Sequence, residues 1–209
     1  EKAEPLSPLR LITLTPTGVM GSFGSGLAVA AIYTLLPLYL QGIGHGVDRV
    51  GQLMAVVVLG AMLLQYPVGR WSDRHDRQMV LILMGAACAL ISAGILWLPL
   101  GGWGLAALLF LLGGGVFSLY PVAVGHAADR APAGALVRMS QGLLLINAIG
   151  STLSPPVISP VMSVLGDEGL FWCLGVLGVG LVGFFGWRRS VRPAPVPVVR
   201  LRRGRDRRR

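Results

Sequence analysis

Nine consecutive residues, Gly69-Arg70-Trp71-Ser72-Asp73-Arg74-His75-Asp76-Arg77, hold the densest group of chemically capable side chains in the sequence. They lie between two long apolar stretches, so they form a turn at a surface. An aspartate there can meet a helix N-terminus or an arginine guanidinium. Gly69 is expected to end one helix close to its neighbour, and the basic residues fix the turn on one side of a membrane. A loop placed by positive charge alone explains the arginines. It does not explain Gly, Asp and Arg at these spacings.

Elsewhere the chemistry is sparse. No Asp, Glu, Lys or Arg falls near the middle of an apolar stretch, so no charged proton or sodium relay is indicated. The central polar residues are neutral or nearly so: Ser22, Ser25, Tyr33, Gln65, Tyr66, Tyr120, His126, Gln141, Asn147 and Ser151. Gln65 and Asn147 are the costliest to leave facing lipid. Each must bond to a neighbouring helix or line a water-filled cavity that contacts a solute. Cys88 and Cys173 sit in apolar runs without His or Cys at ligand spacing and read as small buried hydrophobes. No metal site, cofactor or disulfide framework is indicated. An intramembrane serine hydrolase of the rhomboid type would need a nucleophile within reach of a base. The only membrane-associated histidine is His126, at the end of the fourth apolar stretch, while Gly24-Ser25-Gly26 lies in the first. A non-enzymatic role is expected.

The elements that must position these residues follow from composition. The chain is 54% hydrophobic and 13% charged, with a mean hydropathy of +0.70. A soluble domain carries about 25% charged residues, so lipid is the solvent that fits. A spanning helix needs about 20 mostly apolar residues. Six stretches qualify: residues 17–40, 52–71, 79–99, 103–126, 139–165 and 169–187. The short connections force neighbours antiparallel, which predicts an all-α polytopic membrane protein with one compact bundle over residues 16–190. Pro37, Pro67, Pro121, Pro155, Pro156 and Pro160 fall inside these spans and predict kinks. Gly113–Gly115 and glycines 175, 178, 180 and 183 read mainly as packing faces.

Orientation follows from the basic residues. The N-terminal segment, the 2–3 and 4–5 loops and the C-terminal tail hold 17 of the 18 Lys and Arg; Arg49 alone lies on the other side. Short loops rich in Lys and Arg stay cytoplasmic, so both termini are expected there. Trp71 and Trp187 would mark that interface, and Trp97, Trp103 and Trp172 the opposite one. Residues 188–209 contain ten Arg and one Asp, so they account for the whole net charge of +9. This tail, with Pro193, Pro195 and Pro197, reads as disordered from residue 191 onward and as attracted to anionic headgroups. Without interleaved aromatics it offers no base-stacking surface, so no specific nucleic-acid partner is expected.

The pattern Gly69-x-x-x-Asp73-Arg74-x-x-Arg77 resembles the cytoplasmic loop signature of the major facilitator superfamily, found between helices 2 and 3 of each six-helix half. Ala127-Ala128-Asp129-Arg130-Ala131-Pro132, with Arg138, is similar to that family's helix 4–5 loop. Gln65-Tyr66-Pro67-Val68-Gly69, Leu119-Tyr120-Pro121-Val122-Ala123 and the stretch from Gln141 to Ser151 resemble uncharacterised bacterial permeases of the YcaD type. The resemblance covers about residues 16–190 and is to a C-terminal half. Asp76 departs from it, standing where the family usually has glycine. Family members have two six-helix halves, and this chain has one.

The resemblance implies a secondary transporter in a bacterial inner membrane, working by alternating access around a midplane site. Helices 1, 2, 4 and 5 would face the pathway, with Tyr33, Gln65, Tyr120 and Asn147 lining it. Gly69, Asp73, Arg74, Arg77, Asp129 and Arg138 would form the cytoplasmic gate, with Asp73 meeting a partner in the missing N-terminal half. Neutral polar and aromatic groups suit a small uncharged or amphipathic solute. Residues 1–15 look like the end of the loop joining two halves, without a cleavable signal, and the start at Glu1 suggests a fragment or a processed piece. The alternative is a six-helix assembly or binding module that dimerises and has no transport activity of its own.

Overall fold

The computed structural model describes residues 13–98, 101–131 and 134–191. Most of the expected inter-half segment (1–12) and nearly all of the Arg-rich tail (192–209) lie outside the described residues. The described chain forms six long α-helices: α1 Pro16–Gly42, α2 Val47–Ser72, α3 Arg77–Trp97, α4 Gly102–Ala128, α5 Leu136–Leu165 and α6 Gly169–Val191. All six are long and apolar enough to cross a membrane. Even the shortest, α3 with 21 residues, spans a hydrocarbon core of about 30 Å at ~1.5 Å rise per residue.

The helices outrun the apolar windows because polar residues complete their ends. α2 begins at Val47, and its first turn carries Asp48, which complements the positive end of the helix. Arg49 in the same turn donates to Gln52 Oε1 at 3.1 Å. α1 has a proline in its first turn, where the missing N–H costs nothing. α3 starts behind Asp76, whose carboxylate accepts from the Gln78 backbone N–H at 3.0 Å. This aspartate therefore closes the 2–3 turn as an N-cap, and no residue of the turn needs a left-handed backbone. α5 ends at Gly166, with φ at +76°, a conformation that L side chains rarely adopt. Pro37, Pro67, Pro121, Pro155, Pro156 and Pro160 all lie inside continuous helices.

Neighbours alternate in direction, which brings the N-termini of α1, α3 and α5 to one end with the C-termini of α2, α4 and α6. Arg70, Arg74, Arg77, Arg130, Arg138, Arg188 and Arg189 gather at that end; among the described residues only Arg49 lies at the other. Trp97 and Trp172 meet edge to face at the other end, 5.8 Å between centroids.

The most extensive contacts are α1 with α5, α2 with α4 and α3 with α6. Each pair crosses at two glycines. A Cβ on Gly26 would collide with the Asn147 carbonyl, and one on Gly150 with the Phe23 carbonyl. Gly60 and Gly113 stand in the same relation to the Phe110 and Val57 carbonyls, and Gly85 and Gly178 to each other's carbonyls. Such approach is what holds helices together where lipid offers no hydrophobic drive. The glycine expectation was therefore right for Gly113 and Gly178, and for Gly114, which packs against Leu64. It was wrong for Gly115, Gly180 and Gly183, where a Cβ would meet nothing within 4 Å. α1 and α4 are the most buried helices, and α2 and α5 are among the least. The main core packs Ile32, Leu36, Leu40, Leu53, Leu109, Phe171 and Leu174 between them.

Candidate functional site

The arginine-rich end holds an ion-pair cluster built from the turn between α2 and α3. Arg77 Nη2 lies 2.8 Å from Asp73 Oδ1 across the turn that joins α2 to α3, and its Nε lies 3.3 Å from Asp129 Oδ2 at the end of α4. The guanidinium rests against Gly125, where any side chain would displace it. One arginine thus ties the exits of α2 and α4 together. Asp76 pairs with Arg189 at 3.5 Å, tying the start of α3 to the end of α6. Gln78 Nε2 reinforces that contact by donating to the Phe185 carbonyl at 2.9 Å. Arg74 is exposed on the turn, and Arg138 is exposed in the first turn of α5.

Beside the cluster an open cleft of about 210 Å³ runs between α2 and α4. Gln65, Gly69, Ser72, Asp73 and Arg77 form one wall and Ser118, Pro121 and Val122 the other. Gln65, Gly69 and Ser72 are spaced by four and then three residues, so they share one face of α2, and Asp73 follows at its end. Gly69 behaves differently from expectation. α2 continues through it to Ser72, and a Cβ at Gly69 would meet nothing within 4 Å. Its lack of a side chain serves no contact among the described residues.

The four pathway candidates fall on four helices. Tyr33 on α1 is about half exposed, and its ring meets Phe117 of α4 edge to face at 5.5 Å. Gln65 is exposed into the cleft, and Tyr120 on α4 is half-buried outside its lining. Asn147 on α5 donates from Nδ2 to the Ser22 carbonyl of α1 at 3.0 Å. Ser151 and Ser154 continue that line with bonds to the Gly26 and Leu27 carbonyls at 3.2 and 2.7 Å. Three polar side chains of α5 thus stitch it to α1 around the Gly26–Gly150 crossing. His126 is buried at the end of α4 and contacts Arg130, one turn along.

Sequence reasoning did not single out Ser72, Ser118 and Gly125. The first was legible as part of the α2 stripe. The other two become visible only once α4 is packed beside α2 and α3.

A six-helix membrane bundle whose 2–3 turn carries this signature defines a class of solute carrier. The family model of the Major Facilitator Superfamily matches residues 18–207. The chain is 38% identical over 165 residues to the uncharacterized MFS-type transporter YE1530 of Yersinia enterocolitica, an alignment covering 79% of this chain and 42% of that protein. It is 33% identical over 190 residues to the uncharacterized MFS-type transporter YcaD of Salmonella arizonae, covering 88% of this chain and 47% of that protein. The chain belongs to the major facilitator superfamily, a family of transporters rather than enzymes. It is a multi-pass membrane protein that spans about half the length of the curated relatives it matches.

Proposed function

We propose that this chain is the C-terminal half of a secondary active transporter that moves a small uncharged or amphipathic solute across a bacterial inner membrane. Both termini and the arginine-rich end face the cytoplasm, a reading supported by the distribution of Arg. A companion six-helix half docks on the face formed by α1, α2, α4 and α5, and the two halves rock around a midplane site. Tyr33, Gln65, Tyr120 and Asn147 line that site. Asp73, Arg77 and Asp129, with Gly69, Arg74 and Arg138, form its cytoplasmic gate.

The observation that carries this reading is the cleft between α2 and α4. It lies open beside a tied ion-pair cluster, and Gly69 contributes bare backbone to it that nothing among the described residues fills. Close approach by a helix from another half gives that glycine a purpose. A second copy of this chain on the same face is the alternative occupant.

Cysteine accessibility tests the pathway. Tyr33→Cys is placed in a background with Cys88 and Cys173 replaced by Ala, together with the companion half. A membrane-impermeant maleimide is then applied to right-side-out and inside-out vesicles. Alternating access predicts labelling from both sides. Labelling from neither side would remove position 33 from a solute pathway.

A further inference from the structure

We infer that the middle of α5 carries the acceptor of a solute subsite, the Thr152 backbone carbonyl, which takes a hydrogen bond from an N–H or O–H of the transported molecule. The inference rests on the reading of the chain as a solute carrier and names the chemistry of one wall of its site. α5 runs unbroken through Pro155, Pro156 and Pro160. Proline has no N–H, so each one removes the donor that the carbonyl four residues earlier would use. Ser151, Thr152 and Pro156 lose theirs in this way. Ser151 and Pro156 still have an N–H three residues on, at Ser154 and Ser159. Thr152 has neither, because residues 155 and 156 are both proline. The neighbouring hydroxyls spend their protons elsewhere. Ser151 and Ser154 donate to the Gly26 and Leu27 carbonyls of α1, and Thr152 Oγ1 donates to the Ala148 carbonyl at 2.9 Å. Acceptors are left over here, and donors are used up.

Position decides what this carbonyl faces. Thr152 stands near the middle of the 30-residue α5, where a backbone group without a partner is tolerated only against protein or a water-filled cavity. α1 covers the opposite side of the helix, at Gly150 and Ser154. Two exposed faces remain, and they differ in chemistry. Ile149, Leu153, Val157 and Val164 form an aliphatic face that suits lipid. Gln141, Ala148, Thr152, Pro156 and Ser159, all exposed, recur at helical spacing and form a smaller, more polar face. Water and solute belong on that second face. Its acceptors would repel an anion and leave a donor-free solute without a partner, so an amide or a hydroxyl is the group that fits.

Cysteine accessibility reads the site in the full protein in its native membranes, with Cys88 and Cys173 replaced by Ala. A membrane-impermeant maleimide should modify Thr152→Cys and spare Leu153→Cys, which lies at the same depth on the aliphatic face. Phenylacetamide, a primary amide, should slow the reaction at Thr152→Cys. N,N-dimethylphenylacetamide has no donor and should need about fivefold more to do the same, the worth of one hydrogen bond. Pro156→Ala, combined with Thr152→Cys, restores the helical N–H to the Thr152 carbonyl and should erase that difference while leaving the modification itself. Pro155→Ala restores the helical N–H of Ser151 instead and should keep the difference; circular dichroism checks that each variant folds. Equal modification at 152 and 153, or none at either, would overturn the water-filled face. Equal slowing by the two amides, no slowing by either, or a difference that responds alike to the two proline variants would overturn the donor assignment. None of these readings requires the solute to move, so failure of the carrier reading, seen at Tyr33→Cys, is told apart from failure of this one.

Discussion

Arg77, the first residue of α3, holds Asp129 at the end of α4 at 3.3 Å while its other nitrogen grips Asp73 at 2.8 Å. Two loop segments far apart in sequence thereby become one cluster, and the exits of α2 and α4 are fixed relative to each other. The pairs are partly solvated: the Arg77 side chain is 24% exposed, and those of Asp73 and Asp129 are 67% and 58% exposed. Exposed ion pairs are worth about 0–1 kcal/mol, so the cluster positions the helices more than it stabilises them.

A double-mutant cycle on Arg77→Gln and Asp129→Asn should therefore give a coupling of roughly 0.5 kcal/mol that falls with added salt. Chemical denaturation in detergent checks it. A coupling above ~3 kcal/mol would be the mark of a buried pair and would contradict this geometry. Gly125→Ala should abolish the coupling, because its methyl takes the place of the guanidinium.

The glycine crossings should dominate stability. Gly26→Ala drives a methyl into the Asn147 carbonyl, which is backbone and cannot swing aside. Overpacking of this kind costs about 1–3 kcal/mol. Gly180→Ala and Gly183→Ala meet open space and should be neutral or slightly stabilising. Thermal unfolding of the three variants separates the cases. Equal losses would show that the crossings are not where the helices approach.

Asn147→Ala removes the bond to the Ser22 carbonyl. Interhelical bonds in membranes average about 0.6 kcal/mol with a maximum near ~1.7, and a loss in that range is expected by the same denaturation assay. No loss of stability would mean that the α5–α1 stitching does not rest on this amide.

Asp76→Ala removes both the cap on Gln78 N–H and the partner of Arg189, and should cost about 1 kcal/mol. Asp76→Asn keeps an acceptor for the cap and should recover most of it. If Asn is as damaging as Ala, the Arg189 pair rather than the cap holds the turn.

The six spans were legible in sequence because a membrane helix announces itself by length and hydropathy alone. Their ends were not: Asp48 and Arg49 look like loop residues until one sees them complete the first turn of α2. Asp76 read only as a departure from the family pattern because its capping bond is a matter of local geometry that a motif does not encode. In the candidate site, Arg77 and Asp129 were both legible as gate residues but their pairing was not, since only the packing of α4 against α3 brings them within reach. Asn147 stood open between two roles for the same reason: no one-dimensional pattern says which α1 carbonyl lies 3.0 Å away.

That this chain works as one half of a larger transporter is tested most directly by the mass of the protein in its native membranes. An antibody raised against the 22.1 kDa chain is used to blot a denaturing gel, with and without crosslinking through Gly69→Cys. The expected result is a single polypeptide of about twice that mass without any crosslinker, in line with an alignment that covers 42% and 47% of two relatives. A band at the chain's own mass, whether it stays single or doubles only after crosslinking, would contradict a covalently continuous second half.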